Sequence, residues 1–314
     1  MTMRLAILCP GQGGQHAGMF DLLREDAQAA AFLARCDLDG LLQAPLAEVL
    51  ADPALLFANT CAQPLIVAAQ LAAWQALREP LAAIAGAPAV VAGYSVGELS
   101  AYAIAGVVDA TTTVALAARR AALMSQAAAA APAQGLMSFG GMEVATLQAC
   151  LQARGAYAAI VSGADTLIAG GPNAALQDAA AELAGQGVRS TALPVGLASH
   201  TPLMREATAP FLTALDAIDV HAPAMPLLAG VTGQAIVDPA QARLLLARQL
   251  TETIQWSACM DACAERGVTV ALELGPGSAL ARMLRERHGH IQCRSLADFR
   301  SLAGLIAWLQ RQAD

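Results

Sequence analysis

Charge and aromatic rings are scarce in this chain: charged residues make up 14% and Phe, Trp and Tyr together 4% of its 314 residues. Basic clusters are missing and the formal net charge is −7, so the chain lacks the electrostatic footprint of a nucleic-acid binder. Hydrophobic residues reach 56%, yet no uninterrupted apolar run has the ~18 residues a membrane span needs. Much of that content is alanine, which points to closely packed helices. The apolar start at Leu5–Cys9 breaks at once into Pro-Gly-Gln-Gly-Gly, the end of a first strand and not a signal peptide. Seven cysteines is an odd count, and Cys-x-x-Cys does not occur. Cys259 and Cys263, four apart on an expected helix, read as a buried thiol pair and not as metal ligands. These absences predict a soluble cytoplasmic protein with no metal, no nucleic acid and no membrane partner.

What is present alternates. Short apolar strands (Arg4–Cys9, Pro88–Gly93, Pro226–Val231, Val268–Leu274, Ile291–Arg294) are separated by helical patterns, among them a well-buried helix over Pro64–Leu77 and a long one over Thr111–Ala131. That alternation predicts an α/β fold with a parallel sheet. Between Ala-Pro-Ala-Gln-Gly at 131–135 and Pro194 the order changes to strand, helix, strand, strand, helix, strand, the βαββαβ pattern of a ferredoxin-like unit. The expected organisation is a discontinuous catalytic domain, 1–132 with 196–314, interrupted by a small α+β domain at 133–195. Such an insertion leaves a cleft between the two, where binding sites often sit.

The stretch "VVAGYSVGELSAYAIAG", residues 90–106, carries the chemistry. Gly93-Tyr94-Ser95-Val96-Gly97 between a strand and a helix is a nucleophile elbow, in which a strained turn leaves the serine exposed. The helix start presents free N–H groups to an oxygen that gains negative charge beside Ser95. A serine hydroxyl needs a base, and histidine is the usual one near neutral pH. Of five histidines, His16 lies in the first glycine loop, His221 in a polar link, and His288 and His290 in a charged segment. His200, in "LPVGLASHTPLM", stands where the inserted unit returns to the main chain and is the candidate base. "CPGQGGQ" places one long amide, Gln12, among glycines, without the Gly-Lys-Ser/Thr ending of a phosphate loop. Arg119 and Arg120 share an alanine-rich helix; as a pair they fit a solvated edge, or one of them turned inward to bind a carboxylate.

"CPGQGGQ", "GYSVGELSAY", "RRAALM", "ASHTPLM", "RQL" with "IQW", and "LELGPGSAL" resemble, in order and spacing, the malonyl-CoA:acyl carrier protein transacylases over nearly the whole chain. The resemblance implies an α/β-hydrolase-like domain carrying the ferredoxin-like insertion. It also implies Ser95 as nucleophile and His200 as base. Gln12 and the Val96 N–H would form the oxyanion hole, Arg120 would bind the malonyl carboxylate, and Gln249 would be the amide whose carbonyl orients the histidine. Malonyl-CoA is the implied substrate, an acyl carrier protein the partner, and no cofactor is permanently bound. The fatty-acid-synthesis enzymes usually have His where this chain has Tyr94, and Gly-Ser-Gln where it has Gly13-Gly14-Gln15. "GYSVGELSAY" resembles most the epsilon subunit of bacterial malonate decarboxylase, which points to a carrier bearing a phosphoribosyl-dephospho-CoA arm. The fatty-acid-synthesis transacylase is the alternative.

Two other classes share some of these features. A serine hydrolase has the elbow, but the α/β-hydrolase order puts its histidine late, whereas His200 is followed by more than a third of the chain. A carrier- or nucleotide-binding module needs neither Ser95 nor His200.

Overall fold

In the computed structural model, which describes residues 3–313, every residue of β1 (Leu5–Cys9) and β2 (Val90–Gly93) is buried. Strands apolar throughout must be covered on both faces, as in parallel sheets flanked by helices. They lie side by side in a parallel sheet with β7 (Leu227–Leu228), β9 (Val270–Glu273) and β10 (Gln292–Ser295), ordered β10-β9-β1-β2-β7. The outermost expected positions, 1, 2 and 314, lie outside the described residues.

Parallel neighbours need long crossovers, and helices supply them. Five short ones, α1 (Asp21–Arg24), α2 (Ala27–Arg35), α3 (Leu38–Leu42), α4 (Leu46–Ala51) and α5 (Pro53–Phe57), precede α6 (Asn59–Ala85). Helix α6 begins five residues before the expected Pro64 start, and Pro64 and Pro80 lie inside it. Proline at a first turn is a good start signal. Here the unbroken burial from Cys61 to Ala73 outweighs the hydrogen bond that Pro64 cannot make. After β2 come α7 (Gly97–Ile104) and α8 (Ala110–Ala129), the latter capped by Asp109, whose carboxylate accepts from the Thr111 and Thr112 N–H groups.

The second sheet contains β3 (Gln134–Gly140), β4 (Tyr157–Val161), β5 (Thr166–Pro172) and β6 (Arg189–Ala192), with α9 (Val144–Gln152) and α10 (Asn173–Ala184) between them. Its antiparallel order β6-β3-β5-β4 is that of a ferredoxin-like βαββαβ unit. A fifth strand, β8 (Ile254–Gln255), comes from much later in the chain and pairs parallel with β4. Two residues leave no periodic trace in a sequence, so this link between the sheets was not foreseen. The chain is completed by α11 (Arg205–Asp216), α12 (Pro239–Arg248), α13 (Trp256–Glu265), α14 (Ala279–Arg287) and α15 (Leu302–Ala313). Cys259 and Cys263 are buried on α13. Among the described residues no helix is long and apolar enough to cross a membrane.

The turn between β2 and α7 is pressed against the end of β1. A Cβ on Gly97 would stand 2.1 Å from the Cys9 carbonyl oxygen, and one on Gly93 2.3 Å from the Glu98 Cα. Both obstacles are backbone and cannot swing away. Gly97→Ala is therefore expected to destabilise the fold by ~2 kcal/mol or more, in the range of forced overpacking. Gly196→Ala, where nothing lies within 4 Å, should change stability little. Urea unfolding of both variants checks this, and equal stability of the two would refute it.

Candidate active site

Ser95 sits on that compressed turn with φ 57°, and His200 has φ 62°. Left-handed backbone at a residue with a side chain is uncommon and persists only when its surroundings enforce it. For Ser95 the enforcing contacts are the two glycine approaches and the Tyr94 N–H, which donates to the Cys9 carbonyl at 2.9 Å. For His200 they are its own N–H, donating to the Leu250 carbonyl at 2.9 Å, and the packing of its loop on β5. A Cβ on Gly170 of β5 would meet Thr201 at 2.8 Å. Gln134 of β3 also accepts the Ala198 N–H at 3.0 Å, so the inserted unit helps place the histidine.

The two side chains meet: Ser95 Oγ and His200 Nε2 are 2.8 Å apart. His200 Nδ1 lies 2.6 Å from the Gln249 backbone carbonyl. A carbonyl only accepts, so Nδ1 carries the proton, and Nε2 offers its lone pair to the serine hydroxyl. Burial and then the charge of Arg120 push the imidazole down to about 3, against the pull of the Gln249 carbonyl. It is held neutral.

The Gln12 and Val96 N–H groups donate to no hydrogen bond among the described residues. They are free to act as a donor pair beside Ser95. The Gln12 side chain is turned away, its Nε2 donating to Asn59 Oδ1 at 3.1 Å. The neighbouring glycine, Gly14, has the Pro276 carbonyl oxygen 2.3 Å from where a Cβ would be. The departure from Gly-Ser-Gln thus accompanies a close loop-to-loop contact.

Of the arginine pair, Arg119 is exposed and Arg120 is 1% exposed. The buried guanidinium donates from Nη1 to Gln63 Oε1 at 2.7 Å and from Nη2 to Gln249 Oε1 at 2.8 Å; its Nε has no partner among the described residues. Gln249 therefore contributes twice. Its backbone carbonyl holds His200, while its side chain joins Arg120 to the elbow by donating to the Ser95 carbonyl at 3.0 Å and to the Glu98 carboxylate.

Three members of this group went unnoticed in the sequence: Asn59, Gln63 and Glu98. Glu98, in the first turn of α7, is 0% exposed. Its one signal was charge in an otherwise apolar segment. It accepts from Gln249 Nε2 and, at 3.1 Å, from the Gly230 N–H. A side chain on Gly230 would come within 2.6 Å of that carboxylate.

In front of Ser95 lies a cavity of ≈ 540 Å³, reaching from Gln12 and His200 to an apolar wall that includes Leu136, Ile160, Ile168, Leu193 and Met283. Most of that wall belongs to the second sheet. Arg120 is not on the wall; it lies behind, under Gln63 and Gln249.

The acyl transferase domain family matches residues 7–303. The malonyl CoA-acyl carrier protein transacylase of Mycobacterium bovis is 35% identical over 310 residues, 96% of this chain and 100% of that protein. That of Haemophilus influenzae is 29% identical, over 98% and 99%. Among solved structures, malonyl-CoA:acyl carrier protein transacylase from Xanthomonas oryzae superposes with TM-score 0.89 at 31% identity, covering 100% of both chains.

Burial raises the Glu98 carboxyl from 4.5 to about 7, against the hydrogen bonds from Gln249 and Gly230 and the charge of Arg120. Between those pH values the folded chain keeps a proton that the unfolded chain has released. The resulting stabilisation is complete below the lower value and lost as pH rises through the upper one. Urea unfolding from about pH 5 to about pH 8 should therefore cost the wild type more stability than Glu98→Gln, which lacks the titrating group. His200 contributes with opposite sign, but equally in both proteins. Identical slopes would show that Glu98 titrates normally.

Proposed function

The chain belongs to the acyl transferase domain family, and from that premise we propose that it moves a malonyl group from malonyl-CoA to the thiol of an acyl carrier protein. The observation that carries the reading is a serine-histidine contact of 2.8 Å with a buried guanidinium behind it. Ser95 Oγ attacks the thioester carbonyl and its proton passes to His200 Nε2. The Gln12 and Val96 N–H groups take the oxyanion; such donors contribute ~10²–10³ in rate each. The tetrahedral intermediate collapses, the CoA thiolate leaves with the proton from His200, and malonyl-Ser95 remains. The carrier thiol then gives its proton to His200, attacks the ester, and Ser95 recovers its hydrogen.

Arg120 is proposed as the partner of the free malonyl carboxylate, reached past Gln63 and Gln249. A guanidinium takes a carboxylate through two parallel donors. The same anion screens the charge that depresses His200, so a malonyl substrate strengthens the base that attacks it. Acetyl-CoA gains neither effect.

The named relatives support an ordinary acyl carrier protein as acceptor, and nothing among them points to the malonate decarboxylase carrier. The resemblance of the elbow around Tyr94 is what favours the latter; Tyr94 itself is half-buried and edge-on to Trp256, with ring centroids 5.3 Å apart. Presenting the malonyl-enzyme to a phosphopantetheine carrier and to a phosphoribosyl-dephospho-CoA carrier decides between them by which becomes malonylated.

Ser95→Ala is expected to fold and to form no malonyl adduct when mixed with malonyl-CoA and weighed; a full adduct would sink the nucleophile assignment. In the wild type, rapid release of free malonate would favour a hydrolase instead. Arg120→Ala should lower kcat/KM for malonyl-CoA by ~10²-fold, the scale of a lost buried charge pair, and leave acetyl-CoA unchanged or better. Arg120→Lys should recover only part, since a point charge does not replace the fork. An unchanged malonyl-to-acetyl ratio in Arg120→Ala would overturn the acyl assignment.

A further inference from the structure

Asn59 opens α6 far from the elbow in sequence, yet both polar atoms of its side chain are engaged. Its Nδ2 donates to the Ala121 carbonyl and to Ser125 Oγ, both at 2.9 Å on α8. Its Oδ1 accepts from Gln12 Nε2 at 3.1 Å and from Gln63 Nε2 at 2.7 Å. The chain of contacts has fixed polarity at both ends. Ala121 offers a carbonyl, which only accepts, and Arg120 offers a guanidinium, which only donates. Between them every amide has one permitted orientation: Asn59 turns its oxygen to the glutamines, and Gln63 turns its own to Arg120 Nη1. Gln249 is oriented the same way from the other side, its NH₂ facing the Ser95 carbonyl and Glu98, its oxygen facing Nη2.

We propose that Asn59 is a positioning residue for acyl selection: by seating Gln63 it fixes the half of the guanidinium that Gln249 does not hold, and by seating the Gln12 side chain it ties the oxyanion loop to the same anchor on α8. The two ends of the acyl group, thioester carbonyl and distal carboxylate, are then registered against one side chain. This rests on the reading of Arg120 as the malonyl carboxylate's partner.

Gln63 has few alternatives if Asn59 is removed. It is fully buried, and its other Nε2 neighbour is the Met124 sulfur at 3.6 Å, a weak acceptor. A buried amide left with an unmet donor is costly and loses order. The disorder falls on the partner of Arg120 Nη1 and so on the group that meets the substrate carboxylate. Ser95, His200 and the Gln249 carbonyl keep every contact they had. An acetyl group, which has no carboxylate to place, depends on Asn59 only through Gln12.

The test compares Asn59→Ala with the wild type on malonyl-CoA and acetyl-CoA, following formation of the acyl-enzyme. We expect kcat/KM for malonyl-CoA to fall about tenfold, the equivalent of ~1.4 kcal/mol, mostly through KM, and that for acetyl-CoA to fall less than threefold. In an Arg120→Ala background the malonyl-specific part should vanish, because the two residues act in one chain. Asn59→Thr, whose hydroxyl can donate to Ala121 and accept from Gln63, should restore part of the malonyl preference. It also carries the test if Asn59→Ala does not fold. Equal losses on both acyl groups, full additivity with Arg120→Ala, or no rescue by threonine would each reduce Asn59 to a pin between α6 and α8 and overturn the proposal. If Arg120→Ala itself leaves the malonyl-to-acetyl ratio unchanged, the malonyl assignment fails instead; if it shifts the ratio and Asn59→Ala does not, this inference alone fails.

Discussion

A guanidinium with 1% exposure sets the terms for everything around Ser95. A buried cation is tolerated only when paired and hydrogen-bonded. Arg120 meets that demand without a direct carboxylate contact. It is gripped by two amide oxygens, and the Glu98 carboxyl, raised to about 7 by burial, stands on the far side of one of them. The arrangement keeps the cation in place without neutralising it at short range. Burial, and after it the field of Arg120, holds the His200 imidazole neutral, which is the form that can accept a serine proton. In the proposed reaction, the same field draws in an anionic acyl group. A direct Arg–Glu pair would weaken both effects.

The second constraint is steric. The elbow exists because β1 and the start of α7 approach within a distance that only glycine permits at Gly93 and Gly97. That approach forces Ser95 into a left-handed conformation and brings Val96 and the Gln12 loop to one side of its hydroxyl. His200 is also left-handed, but contacts from a different sheet hold it. Ser95 is thus positioned by the parallel sheet and His200 partly by the inserted one, through Gln134 and the glycine strand β5. β8, from the later part of the chain, joins the inserted sheet beside β4.

How much of this the sequence discloses depends on whether a residue acts through its side chain or its backbone. Ser95 was legible because glycines on both sides of a serine report a backbone contact directly. The inserted unit was legible because its strand-helix order breaks the alternation before and after it. Choosing Arg120 over Arg119 took the family resemblance; a helix of near-uniform alanine has no polar face to decide it. Gln249 was expected as an amide that orients the histidine, and the atom in contact proves to be its main-chain carbonyl. Any residue type at 249 would supply that atom. The glutamine side chain is needed for a different contact, the one to Arg120. Asn59, Gln63 and Glu98 stayed hidden because single polar residues in apolar helices carry no period, and their meaning lies wholly in partners distant along the chain.

The apolar wall completes the logic of transfer. In the proposed reaction an acyl-serine ester must outlast the exchange of one thiol for another, and the hazard is water activated by the same histidine. Near Ser95 the polar groups are largely engaged with one another: Gln12 with Asn59, Gln63 and Gln249 with Arg120, Glu98 with Gln249 and Gly230. The facing wall of Leu136, Ile160, Ile168 and Leu193 offers nothing to hold a solvent molecule in line with the ester. A water needs two to four polar partners to be ordered at a site, and the wall side of the cavity supplies none; the unpaired Gln12 and Val96 N–H groups are those proposed to hold the oxyanion. A thiol on an extended arm needs no such partners. It is carried to the ester by its own attachment, and His200 need only remove its proton. In the proposed reaction the apolar wall then favours a tethered thiol over a free water at the ester.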